Sequence, residues 1–303
     1  MTMKRILILT TFQKKIELYD ELYQKESSFL IHKYFSERGW KVDISRYNDL
    51  CIEIASEVKI SFNDFDLKHY DFIIFRSNTL LNTYGISLHN LSQVVAKYAI
   101  ENNVPCINGK HLSVFPANLN KLYQMYFLST KKIPIPKTFV GNVKMLLPQL
   151  KHKSFIVKPV VGSHGDSVHL LKPTNSESGF ILSSQIVQEM LPGKADYRVL
   201  VLNHEILGVM KRTATGENIV SNFSAGGSVE KFDLTGEIKD LALEVQKLFQ
   251  LDFCGVDLMK TSTGKLVVLE ANRFPEFIGF QQVTLVNVPA MLFEYIEQRL
   301  FSS

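Results

Sequence analysis

Near residue 115 the chain changes pattern. Before that point strand-like and helix-like segments alternate; after it, short strands follow one another with turn signals between them. The first half therefore requires a parallel sheet, because parallel neighbours need a helical crossover, whereas the second half can close as hairpins. In the first half Arg5–Phe12, Lys41–Ser45 and Tyr70–Phe75 read as strands, with a helix over about Tyr19–Arg38 that Gly39 suits as a terminator. Leu88, Leu91, Val94, Val95 and Tyr98 have helical spacing, and Val104–Asn108 follows as a short strand. No glycine-rich turn follows the first strand, which argues against a dinucleotide site there. In the second half a helix over about Leu119–Ser129 leads into an extended Ile133-Pro-Ile-Pro136. Strand-rich segments come next, interrupted by a helix with Ile238, Leu241, Val245 and Leu248 on its inner face, and a last helix starts near Pro289.

Composition narrows the function. The 303 residues are 46% hydrophobic and 21% charged, as in an ordinary soluble globular protein, and the net charge of +4 suits a small anionic ligand without requiring one. No basic cluster is interleaved with aromatics, so nucleic acid is not expected as a partner. No apolar run approaches the roughly 18 residues that span a bilayer, so no membrane partner is expected. Cys51, Cys106 and Cys254 have neither metal nor disulfide spacing. They read as core filler in a cytoplasmic protein.

Three stretches carry chemistry. In Ile156–Leu170, "IVKPVVGSHGDSVHL", the glycines Gly162 and Gly165 lie between two β-prone arms with Lys158 at the base, and no helix follows. A Walker loop or dinucleotide fingerprint would open a helix, so this pattern reads instead as a mobile hairpin flap over a ligand. In "KLVVLEANRF", alternation places Leu266, Val268, Glu270 and Asn272 on one strand face, and Asp257 lies opposite Glu270 across the Thr261–Gly264 turn. Two carboxylates and an amide oxygen suit Mg²⁺, which keeps several waters and bridges to phosphates. Glu189, in "VQEMLPG", follows an apolar strand and could meet an adenine or ribose. Arg198 and Arg212, on the arms of a hairpin turning at Asn203-His204, could reach phosphate.

In this order the segments resemble an ATP-grasp ligase, and within that superfamily the RimK-type group of ribosomal-protein glutamate ligases and lysine-biosynthesis carrier-protein ligases. The resemblance runs from about Asn118 to Glu297 and is weaker before it. Asn120-Lys121 with Ile133–Thr138, Gln188-Glu189, Asp196-Tyr-Arg198, Ser221-Asn222 and Gly226-Gly227 are similar to successive family segments. The resemblance implies a pre-ATP-grasp α/β domain over 1–115, then an α+β ATP-grasp fold whose two subdomains, 116–186 and 187–303, clasp ATP. It implies ATP-phosphate lysines at Lys121 and Lys158, a glycine loop at Gly162, Ser163 and Gly165, and an adenine hinge at Gln188 and Glu189. Asp196, Arg198 and Asn222 complete the implied nucleotide contacts. Asp257, Glu270 and Asn272 are the implied magnesium ligands, holding two ions, with Mn²⁺ an alternative metal. The implied reaction joins a carboxylate to an amine on an amino acid or peptide through an acyl phosphate, with Arg212, Lys158 and Arg273 at the reacting groups. Dimers or tetramers are common among such relatives.

Departures from the pattern narrow the expectation. Ser167 stands where a third flap glycine is common, and Val220 where the ribosomal-protein ligases carry arginine. The bulky Arg273-Phe-Pro-Glu-Phe277 replaces a small glycine-bearing segment, which does not support glutamate addition to a ribosomal tail. Arg273 is a candidate for a substrate carboxylate, as are Arg76 and Asn78 at the end of an amino-terminal strand. Three functions stay apart at this level: the ligase, an ATP-grasp kinase that phosphorylates a small molecule, and a non-catalytic nucleotide-binding module.

Overall fold

The computed structural model describes residues 3–10, 26–76, 88–115, 120–141, 154–160, 168–171, 185–215 and 227–301. The amino-terminal unit starts with β1 (Arg5–Thr10), α1 (Ser27–Ser36) and β2 (Lys41–Arg46). It continues with β3 (Cys51–Ile54), β4 (Val58–Phe62), β5 (Phe65–Asp66) and β6 (Phe72–Phe75), then α2 (Leu88–Glu101) and α3 (Gly109–Val114). The sheet is parallel, in the order β2-β1-β6, with Ile8 between Ile44 and Ile74. Its central strand is buried on both faces, so its apolar run is nearly continuous. Ile6 and Ile8 meet Phe29, Ile31 and Phe35 on one side, while Leu7 and Leu9 meet Tyr47, Val95 and Tyr98 on the other. Two features differ from the sequence expectation. Strands β3, β4 and β5 form a separate antiparallel sheet, and Val104–Asn108 contributes only a parallel bridge between Cys106 and Ile73 before turning into α3.

Next come α4 (Lys121–Thr130), β7 (Thr138–Phe139), β8 (Phe155–Pro159), β9 (His169–Leu171) and β10 (Gln185–Glu189). These four strands form a sheet in the order β7-β10-β8-β9, and β8 and β9 are the two arms of the expected flap hairpin, paired antiparallel. Then β11 (Ala195–Leu202), β12 (Glu205–Thr213), β13 (Ser228–Phe232), α5 (Gly236–Phe249), β14 (Phe253–Lys260) and β15 (Leu266–Asn272) build a five-stranded sheet in the order β13-β12-β11-β14-β15. The β11–β12 turn uses Asn203 and His204 at φ 47° and 67°, the left-handed pair that a two-residue hairpin demands. Helix α5 is capped by Thr235 and buries Ile238, Leu241, Val245 and Phe249 under this sheet, with Leu248 only partly covered. Met125, Leu128 and Ile133 join the same cluster, so α4 packs beneath the five-stranded sheet. The chain ends with α6 (Ile278–Thr284) and α7 (Val288–Phe301). Among the described residues no helix is long and apolar enough to cross a membrane. Cys106 and Cys254 are buried, but Cys51 is exposed and fills no core.

One irregularity decides what β15 presents. Asp257 pairs with Glu270, but Leu258 pairs with Val268, so Leu269 is an extra residue. A bulge of this kind exchanges the two faces of a strand. Leu266 and Val268 point into the cluster above α5, as does Ala271 beyond the bulge. Glu270 and Asn272 therefore do not share a face with Leu266 and Val268, as strict alternation expects; they turn to the opposite side, with Asp257. The outer edge of β15 is also covered, because Pro134 O accepts from Val268 N at 2.8 Å and Gln124 Oε1 from Ala271 N at 2.8 Å.

Candidate active site

Asp257 sits at the centre of the sheet, and β14 pairs it with Arg198 on β11 and Glu270 on β15. Arg198 donates to both of its oxygens, Nε to Oδ1 at 2.8 Å and Nη2 to Oδ2 at 2.7 Å. Arg212 donates from Nη2 to Asp257 Oδ2 at 2.9 Å and from Nε to Asp196 Oδ1 at 2.6 Å. Burial alone would raise the Asp257 carboxyl, but the two guanidinium groups hold it well below the usual carboxylate range. Burial likewise acts against the Arg212 charge, and Asp257 and Asp196 outweigh it. Both arginines thus reach carboxylates of the sheet, and Asp257 stays ionised.

Above this base stand Lys121 and Lys158. Asn120 caps α4 by accepting from Tyr123 N at 2.9 Å, which starts the helix with Lys121. Lys121 N donates to Val160 O at 3.1 Å, tying the helix to the end of β8, two residues past Lys158. One turn on, Gln124 holds β15, and Lys121 Nζ lies 3.9 Å from Glu270 Oε2. Burial, with the Lys121 charge adding to it, lowers the Lys158 pKa against the pull of Glu270, Asp196 and Asp257. Among the described residues no three His, Cys, Asp or Glu side chains gather into a metal cage. Of Asp257, Glu270 and Asn272, Asp257 already accepts from two arginines, Glu270 keeps 30% of its side chain exposed, and Asn272 Oδ1 is oriented by Phe274 N at 3.1 Å. Such a set, with lysines beside it, fits a hard cation that shares its shell with phosphate oxygens.

Strand β10 is fixed by its side chains. Gln188 is buried and donates to Thr138 Oγ1 at 2.9 Å, and Glu189 Oε1 accepts from Lys137 N at 3.0 Å. The Glu189 carboxylate is thus on the chain's own backbone. A cleft of about 530 Å³ lies beside the end of β10, between Glu189–Pro192 and the Thr261–Lys265 turn; Lys121, Lys158 and Asp257 do not line it.

On the other side, Arg273 and Arg76 are both buried. Arg76 Nη2 donates to Ser27 Oγ, to Pro275 O at 2.9 Å and to Glu276 Oε1 at 3.2 Å. Arg273 lies 5.3 Å from the Phe274 ring centroid, and burial brings its pKa down to about 10. The structure thus brings Lys121, Lys158, Asp196, Arg198, Arg212, Asp257, Glu270 and Asn272 around one sheet face and sets Arg76 with the Arg273–Phe277 segment. Gly162, Ser163, Gly165, Asn222 and Asn78 lie outside the described residues. Sequence reasoning missed Glu26, Ser27 and Tyr47, which surround Arg76 together with Glu276 of the 273–277 segment; no local pattern marks these three, since tertiary packing alone brings them there.

A family model for the RimK-like ATP-grasp domain matches residues 118–296. A probable alpha-L-glutamate ligase of Psychromonas ingrahamii is 27% identical over 276 residues, 87% of this chain and 88% of that one. Among solved structures, the ATP-grasp ligase PsnB, complexed with a phosphomimetic variant of a minimal precursor, Mg and ADP, superposes with a TM-score of 0.72 at 17% identity, covering 97% and 98% of the two chains. A Chryseobacterium gregarium RiPP-associated ATP-grasp ligase, in complex with ADP and a leader and core peptide, gives 0.70 at 13% identity over 98% and 97%. The fold of these neighbours extends over nearly the whole chain, so the amino-terminal unit is part of the same architecture. With more than half its length matched by that model, the chain belongs to the RimK-like ATP-grasp family.

Proposed function

We propose that the chain is an ATP- and Mg²⁺-dependent carboxylate–amine ligase acting on an amino acid or peptide. The observation that carries this reading is the bulged register that sets Glu270 and Asn272 beside Asp257, with Lys121 within 4 Å of Glu270. A bound Mg²⁺ would supply charge neutralisation around the transferring phosphoryl group. Asp257, Glu270 and Asn272 would hold it, whether as one ion or two.

Lys121 and Lys158 would hold the phosphates in line. A substrate carboxylate oxygen then bonds to the γ-phosphorus as ADP leaves, and an amine attacks the resulting acyl phosphate at carbon and expels phosphate. Arg212, fixed by Asp196 and Asp257, would present its positive charge without needing to reorganise. The flap over Gly162, Ser163 and Gly165 would exclude water from the acyl phosphate. Gln188, Glu189 and Asn222 would contact the nucleoside, and Arg273 the substrate carboxylate.

A paired assay of ADP and free phosphate with Mg-ATP and a panel of amino acids and short peptides tests this. ADP and phosphate are expected to rise together, with a condensed product by mass that disappears in Glu270→Gln. ADP without phosphate, alongside a phosphorylated product, would overturn the ligase reading in favour of a kinase.

A further inference from the structure

Ligands of parallel α/β sheets bind outside the carboxyl ends of the strands. In β2-β1-β6 that edge is formed by Thr10, by Tyr47 just after β2, and by Arg76 just after β6. The Arg273–Phe277 segment lies against it: Phe274 packs with Leu9, Tyr47 and Phe75, and Phe277 with Ile8 and Phe72.

This edge holds two buried donors that find no acceptor among the described residues. Tyr47 is 2% exposed and Arg76 1% exposed, yet among the described residues Tyr47 Oη and Arg76 Nε have no hydrogen-bond partner. Buried polar atoms are nearly always satisfied, so unpaired donors at a ligand-binding edge point to an acceptor that is not part of the chain. The phenol senses the charges of both Arg273 and Arg76, so these donors face a positive field. That combination fits a carboxylate. The neighbouring charges have the other sign. Glu276 and Glu26 are two carboxylates beside the single Arg76 charge, and Ser27 Oγ donates to Glu276 Oε2 at 2.6 Å. Glu276 has 40% of its side chain exposed, so its far side is open to a ligand. Burial, and then Glu276, push the Glu26 carboxyl up to about 7 against Arg76; a cation bound there would relieve the excess.

We infer that this edge recognises the zwitterion of an α-amino acid, its carboxylate on Tyr47 Oη and Arg76 Nε with Arg273 beside them, and its ammonium on Glu26 and Glu276. The inference rests on the ligase reading only in that the bound amino acid is the ligase's small substrate. Recognition of both charged groups selects a free amino acid over the interior of a peptide, where neither group exists.

Calorimetric titration of the full chain with each common amino acid tests it, followed by the N-acetyl and α-carboxamide forms of the tightest binder. Both blocked forms are expected to bind at least tenfold more weakly. Tyr47→Phe should weaken the parent amino acid but not its α-carboxamide, and Glu26→Gln should weaken the parent but not its N-acetyl form. A purely structural role for these residues, such as holding a buried water, would weaken all forms alike and overturn the inference. So would the absence of binding by any free amino acid at millimolar concentration. Ligation of peptides without amino-acid binding would sink this subsite and leave the ligase standing; amino-acid binding without ADP formation would do the reverse.

Discussion

Asp257 gives both oxygens to Arg198 and Arg212 with 4% of its side chain exposed, while Glu270, opposite it, keeps 30% exposed beside Lys121. The two carboxylates therefore differ in how much folding stability each carries. Asp257→Asn leaves two buried guanidinium groups poorly matched and is expected to lower unfolding free energy by about 3 kcal/mol in a denaturant titration. Because the folded Asp257 carboxyl titrates below its unfolded value, its stabilisation is present above the usual carboxylate range and lost as pH falls, so the wild-type advantage should shrink toward pH 3. Glu270→Gln should change stability by less than about 1 kcal/mol. It should slow ATP turnover by about 100-fold or more, read by ADP release. Glu26 has the opposite sign. Its folded pKa of about 7 lies above its unfolded value of 4.5, so the stability linked to it is greatest below pH 4.5 and is lost as pH rises through about 7. Glu26→Gln is accordingly expected to melt higher than wild type at pH 8 and at an equal temperature near pH 4; a uniform offset at both pH values would contradict this.

At the scale of elements, the bulge at Leu269 determines which side chains β15 shows to the site. Deleting Leu269 should remove the bulge and place Glu270 directly after Val268, so that plain alternation still turns Glu270 and Asn272 away from the core cluster. The variant is then expected to keep the rise in melting temperature that Mg-ADP should give wild type by linkage; a lost rise would show that the local bend of the bulge, and not the face alone, is needed. This feature also marks where the sequence stops being legible. The β11–β12 hairpin could be read because Asn203-His204 tolerates left-handed backbone, and the β8–β9 flap arms because glycines separate two β-prone runs. In Leu266-Val-Val-Leu269, every residue is apolar and neither face is distinguished, so the extra residue leaves no trace in the pattern. Strands β3 to β5 escaped for a related reason: Cys51, Glu53, Ile54, Val58 and Lys59 are exposed, and an exposed sheet has little alternation to read. The lysines, the acids and Asn272 were legible as an ordered set, whereas Tyr47 and Glu26 were not, because an unpartnered hydroxyl or a crowded carboxyl exists only after folding.

Across the whole molecule, the two halves share one interior. Ile6 and Ile8 of the parallel sheet lie in a cluster with Leu200, Phe253 and Phe277 from the other half. Asn108 clasps them together: Nδ2 donates to Phe253 O at 2.8 Å and Arg273 O at 2.7 Å, while Oδ1 accepts from Asp252 N at 2.7 Å and Phe253 N at 3.0 Å. Asn108→Ala removes partners from four backbone groups, three of them buried, and should cost about 3 kcal/mol or more, with the amino-terminal unit melting separately by calorimetry. Gly255 shows how closely the 273–277 segment crosses the five-stranded sheet, since a Cβ there would lie 3.1 Å from Pro275 Cβ.

The Arg273–Phe277 segment leaves the strand that carries Glu270 and Asn272 and docks on a unit encoded more than 190 residues earlier. On the subsite proposed above, substrate preference would not be a trait that either half carries alone. A relative's amino-terminal unit transplanted without its own counterpart of residues 273–277 would bring an edge fitted to a different strap. Recombination or drift in such a lineage is constrained to move both segments together, and a chimera in which the two travel as a pair is the one that should keep a defined substrate.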